Sequence, residues 1–154
     1  MERLQFELAS AQDREFLALL RAREWAKELS PEEFSERNRI LYRHPFGQKR
    51  TTTFLLKSET DGIVSSMDAL EVKLFFRERA SDVTQIRNGF LIASVLTPPQ
   101  YRGRGYAGRL LESFLKYQKW DLGVLYSDIG PKFYENFGFK KTKTQLREVH
   151  EPFS

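Results

Sequence analysis

The chain has 154 residues, with 25 Lys and Arg against 21 Asp and Glu for a net charge of +4. That length suits a single domain, residues 1–154, with a substantial core, and thirteen Phe argue for a packed interior rather than disorder. The absence of Cys excludes a disulfide framework, a thiol nucleophile and a cysteine metal site; no His–Glu cluster suggests a metal, and none is expected. Apolar runs such as Phe16 to Leu20 are far too short to cross a bilayer, and Met1-Glu2-Arg3 opens without a signal-peptide profile, so no membrane partner and a cytoplasmic location are expected. The mild positive charge suits an anionic ligand. Acids are interspersed with the bases and no RNA-recognition signature occurs, so nucleic acid is not an expected partner.

In chain order, Leu4 to Leu8 alternates apolar and polar residues as a half-buried first strand does. Ser10 to Asp13 can cap a first helix, whose apolar stripe of Phe16, Leu17, Leu20 and Ala26 runs to about Leu29. Ser30-Pro31-Glu32-Glu33 starts a second helix, with Ser as cap, Pro at the first helical position and Glu three residues after the cap. It runs to about Tyr42 and is broken by Arg43-His44-Pro45-Phe46-Gly47. Thr51 to Lys57 reads as a second strand, Asp61-Gly62 as a hairpin turn, and Ile63 to about Phe76 as a third strand. Arg77 to Asn88 is a polar loop before a fourth strand, Phe90 to Thr97, which Pro98-Pro99 ends. A third helix, Tyr106 to Tyr117, carries Leu110, Leu111, Phe114 and Leu115 at helical spacing. Leu122 to Ile129 gives a fifth strand, Gly130-Pro131 opens a short helix with Tyr134, and Phe139 to Val149 can form a last strand.

Between the fourth strand and the third helix lies Arg102-Gly103-Arg104-Gly105-Tyr106-Ala107. Two glycines there accept positive φ and let backbone approach a ligand without an intervening Cβ. The N–H groups of the new helix carry partial positive charge toward the same place. Such a turn is a phosphate cradle, with Arg102 and Arg104 adding formal charge; it is equally a tight connection between two core elements.

Arg102-x-x-Gly105-x-Ala107, entered from a strand ending in proline, resembles the acetyl-CoA motif Gln/Arg-x-x-Gly-x-Gly/Ala of the GCN5-related N-acetyltransferase (GNAT) superfamily. About thirty residues on, Phe133-Tyr134-Glu135-Asn136-Phe137-Gly138-Phe139 resembles that superfamily's Tyr-x-x-x-Gly-Phe signature. Leu125 to Tyr134, together with Ser94 to Ala107, is similar to the N-terminal domain of fungal lysine N6-acetyltransferases, which are much longer proteins. The resemblance implies an α/β (α+β) fold with a central mixed, mostly antiparallel sheet of six to seven strands. Helices would cover both faces, and strands 4 and 5 would splay apart. Only Glu148 to Ser154 remains for a seventh strand, so the domain is expected to lack it.

The same resemblance implies acetyl-CoA as co-substrate and a small amine as acceptor, with free lysine's side-chain amine as the finer expectation. The pantetheine arm would pair with the backbone of Val95, Leu96 and Thr97. The diphosphate would lie on amides of Arg102, Gly103, Arg104, Gly105, Tyr106, Ala107 and Gly108. Tyr134 matches the general acid that protonates the departing thiolate. A phenol is protonated at neutral pH and can donate to a thiolate. The acceptor ammonium must lose a proton; Asp68, Glu71 and Asp128 are the candidate bases, each also readable as a solvated or structural acid. Ser127 stands where many members carry a cofactor-contacting Asn. The alternative reading is a catalytically weak or inactive acetyl-CoA-binding domain left by loss of a C-terminal region. Monomer and homodimer are both open.

Overall fold

In the computed structural model, residues 3–78, 80–120 and 122–142 are described. The chain begins with β1 (Leu4–Leu8) and three helices: α1 (Ala11–Trp25), α2 (Pro31–Arg43) and α3 (Pro45–Arg50). Ser10 and Ser30 each form a reciprocal capping box, with Asp13 and Glu33 respectively. Each box satisfies two backbone donors that the helix itself leaves open. Next come β2 (Thr51–Ser58), β3 (Gly62–Phe76), β4 (Gln85–Leu96), a 3-10 turn (Pro99–Tyr101), α4 (Tyr106–Tyr117), β5 (Gly123–Leu125) and α5 (Lys132–Glu135).

The five strands pair in sequence order, antiparallel except for the parallel β4–β5 pair. Neighbouring Phe54 and Leu55 on β2 are both buried. Adjacent strand side chains point to opposite faces, so the sheet is covered on both. On one face Leu110, Leu111 and Phe114 of α4 join Phe54, Val64, Met67, Phe90 and Ile92. On the other, Leu17 of α1 meets Leu55 and Ile63. The Phe114 ring packs edge-on against both Phe54 and Phe90, with centroids 5.1 Å apart in each pair.

Where β4 and β5 meet, Gly89 and Gly123 are required by contact. A Cβ on Gly123 would strike the Phe90 ring, and one on Gly89 the Leu122 carbonyl. The pairing covers only Phe90–Ile92 against Gly123–Leu125, whereas β4 continues to Leu96. The pairing stops at Ile92 because β5 itself ends at Leu125, so the last residues of β4 have no β5 partner.

Several boundaries differ from the sequence reading. Helix α1 stops at Trp25, because Lys27 takes the left-handed conformation with φ +52°, a common way to end a helix. Helix α2 breaks at His44 as expected, but a short helix follows, α3: Pro45 occupies its first position, and His44 Nδ1 accepts the Phe46 N–H at 3.2 Å. Strand β4 starts at Gln85 within the expected loop, since Gln85–Asn88 pairs with Lys73–Phe76. Strand β5 ends at Leu125, where Ser127 Oγ turns to the Gly130 carbonyl at 3.0 Å. Five strands stand where six to seven were expected, among the described residues. The expected last strand shows no strand up to Thr142; its remainder, residues 143–149, lies outside the described residues.

Candidate active site

The site begins as an irregularity in β4. Ser66 pairs with Leu96 but Asp68 pairs with Ala93, so Ser94 and Val95 together oppose Met67. Such a bulge leaves one residue out of the ladder and bends the strand. Ser94 sits in it with φ +53°, one of two non-glycine residues at positive φ among those described. The cost for a non-glycine residue is about 1–3 kcal/mol, sustained only where the surroundings enforce it. Here a buried ladder on either side does so. Nothing in the run Phe90 to Leu96 signals the kink; its residues are ordinary strand formers.

Val95 packs half-buried against the α4-side core, and Leu96 is buried. Thr97 Oγ1 lies 3.0 Å from Ser65 Oγ, and the same Ser65 hydroxyl donates to the Leu96 carbonyl at 3.2 Å. These side chains thus face packed surroundings, leaving the backbone edge at the strand's end to do any binding.

The chain then turns through Pro99–Tyr101 into the glycines. Gly103 and Gly105 both have φ +78°, and a Cβ at either would meet nothing within 4 Å. The turn thus needs glycine for its backbone, and the space beside it is open. Gly105 is the N-cap of α4, and no side chain caps the helix. The helical ladder starts with Arg109 N–H to the Gly105 carbonyl at 3.1 Å, so first-turn N–H groups lie outside it. Open space, an uncapped helix mouth and two glycines fit a phosphate group. Arg102 is placed differently from expectation: Nε donates to the Thr97 carbonyl at 3.0 Å and Nη2 pairs with Glu24 at 2.7 Å. It braces the turn against α1. Arg104 lies 5.9 Å from the centre of the Tyr101 ring. Tyr106 is buried in the core, Ala107 is half-buried, and a Cβ on Gly108 would stand 3.4 Å from Phe137, making Gly108 the place where α4 and the α5 segment touch.

Tyr134 on α5 is buried, its ring edge-on to Phe133 at 4.9 Å and to Phe139 at 6.2 Å. Burial pushes its phenol above the ordinary value, and the Asp128 carboxylate pushes the same way. The phenol therefore stays protonated throughout the neutral range.

On the opposite face, helices α1–α3 and strands β2–β4 enclose a cleft of about 460 Å³. Asp68 lies at its floor, 4% exposed. Its Oδ1 accepts from Arg21 Nη2 at 3.1 Å and Thr53 Oγ1 at 2.7 Å; its Oδ2 accepts from Arg21 Nη1 and the Tyr42 hydroxyl, both at 2.8 Å. Four donors occupy the carboxylate, so Asp68 is a structural anion. Burial and the charge of Asp68 both raise the Tyr42 phenol, which remains a donor. Glu71 is exposed and lines a separate small recess with Arg50 and Trp120; Asp128 is exposed beside α5. Ser94 lines the large cleft, so the bulge has its α4-side neighbours on one face and the cleft on the other. Sequence reading missed this cleft, whose walls come from six elements with no local motif.

These features define an α/β domain with two left-handed glycines at an uncapped helix mouth, and a bulged strand end that lies between that turn and the cleft. The chain belongs to the acetyltransferase (GNAT) domain family, whose pattern it matches over residues 8–142. No curated protein sequence matches it significantly. Among solved structures it is similar to an acetyltransferase of Trypanosoma brucei at 23% identity, covering 96% of this chain and 99% of that one, with a TM-score of 0.63. It also resembles a predicted acetyltransferase from Clostridium acetobutylicum solved with acetyl-CoA, at 15% identity, 96% coverage of each chain and a TM-score of 0.68. An aminoglycoside N-acetyltransferase in complex with CoA gives 12% identity, 99% and 97% coverage and a TM-score of 0.70. At such identities the likeness is one of fold.

Proposed function

We propose that this chain transfers the acetyl group of acetyl-CoA to a primary amine by direct attack. The observation that carries the reading is the pair of left-handed glycines at the uncapped mouth of α4, next to the bulged end of β4. Acetyl-CoA supplies an activated acyl group; the protein supplies position and electrostatics. The backbone of Val95, Leu96 and Thr97 holds the pantetheine arm. Main-chain amides from Gly103 into the first turn of α4 hold the diphosphate, with Arg102 keeping the turn in shape. A β4 backbone N–H at the bulge stabilises charge developing on the carbonyl oxygen. As the C–N bond forms and the C–S bond breaks, Tyr134 gives its proton to the departing sulfur. The resemblance to fungal lysine N6-acetyltransferases supports the side-chain amine of free lysine as the acceptor. Asp128, beside α5, is the remaining candidate for taking the amine's proton, since Glu71 lines a separate recess.

A thiol-release assay with acetyl-CoA against free lysine, polyamines and peptides tests the reading. Thiol production that depends on both substrates is expected. Acetyl-CoA binding without release for any amine would favour the binding-only alternative. Gly105→Val is expected to weaken CoA binding by about tenfold or more. A β-branched side chain at positive φ is strained by roughly 1–2 kcal/mol, and its bulk enters the space the phosphate needs. Titration of CoA into the two proteins checks this.

A further inference from the structure

Within the transferase reading above, on which this proposal rests, we propose that the cleft on the α1–α3 face is the acceptor site, and that Arg37 selects amines whose far end carries an anion. Ser94, on the bulge, lines the same cleft as Arg37 of α2, so an occupant reaching the bulge lies within the space that Arg37 borders. The walls between are apolar, with Trp25, Phe34, Leu41 and Leu70, which suits a chain of methylenes.

The charge of the lining decides what sits at the far end. Among the described residues its only acid is Asp68, whose oxygens are filled by Arg21, Tyr42 and Thr53. Of the α2 acids closest to Arg37 in sequence, Glu33 accepts the Ser30 N–H at 2.7 Å and Glu36 pairs with Arg39. A second ammonium on the occupant thus meets no uncommitted carboxylate in the lining. Arg37, by contrast, has no acidic partner among the described residues; its guanidinium lies 4.8 Å over the Phe34 ring. Stacking orients it without spending its donors, which leaves a planar fork for a carboxylate. His44 borders the same cleft, and because its Nδ1 accepts the Phe46 N–H, its ring proton sits on Nε2 as a further donor.

The test uses three amines of similar reach: ε-aminocaproate with a terminal carboxylate, hexylamine with none, and cadaverine with a second amine. Binding of their N-acetyl products to the CoA-loaded protein is measured by calorimetry, alongside thiol release from the amines. The acetylated aminocaproate is expected to bind about tenfold more tightly than the other two, and Arg37→Gln to abolish that preference while CoA affinity stays the same. Equal binding of all three, or an Arg37→Gln loss shared equally among them, would overturn the proposal. Selective binding without thiol release would support the cleft's charge preference and defeat the transferase reading, so the two failures are separable.

Discussion

Asp68→Ala is expected to destabilise the fold by about 3–5 kcal/mol, because it leaves the buried Arg21 guanidinium without its counter-charge. Arg21 and Asp68 are 5% and 4% exposed, and two Arg21 nitrogens meet the two carboxylate oxygens. The same deletion strands the Tyr42 and Thr53 hydroxyls, each of which donates to Asp68. Domains of this size are stable by about 5–15 kcal/mol, so the loss is a large share of the total. Urea unfolding measures it as a lower midpoint with the slope unchanged. The double variant Arg21→Met with Asp68→Leu removes both charges together and should recover much of the loss, since apolar replacement of a buried pair is often near neutral. A double variant as unstable as Asp68→Ala would show that the hydroxyl partners, and not the charge, dominate.

Tyr134→Phe is expected to lower kcat by about 10²-fold or more, the scale of a lost general acid, while CoA affinity changes little. The Tyr134 ring is buried and edge-on to Phe133 and Phe139, so the ring of Phe fills the same space and the fold stays intact. Since burial and Asp128 hold its proton on above the ordinary phenol value, loss of Tyr134's proton limits the rate only at a pH more alkaline than the range in which an ordinary phenol titrates. Asp128→Asn removes the smaller of those two influences and should shift that alkaline limb to lower pH. Steady-state rates across pH with saturating amine check both points. Turnover in Tyr134→Phe equal to wild type would remove Tyr134 from the chemistry.

How much could be read from the chain depended on whether the signal was local. The capping boxes at Ser10 and Ser30, the amphipathic run of α4 and the Gly103–Gly105 turn are each written within a few residues, and each is where the sequence placed it. The short parallel pairing of β4 with β5 is not written locally, since it depends on the register of Phe90–Ile92 against Gly123–Leu125. The bulge at Ser94 and the Arg21–Asp68–Tyr42 cluster were illegible. Both arise from register and packing between residues 21, 42, 53, 68 and 94, which no periodicity links. Arg102 shows a related limit: the motif located the residue, but its bond to Glu24 comes from a helix 78 positions earlier. Asp68 was readable as a base or as a structural acid, and only its four donors distinguish them.

The central claim is that backbone amides at the mouth of α4 hold the diphosphate of CoA. Calorimetric titration with CoA and, separately, with pantetheine, which lacks that diphosphate, tests it most directly. The account predicts clear heat with CoA and affinity for pantetheine weaker by about a hundredfold. Equal affinity for the two, or no heat with CoA, would contradict it.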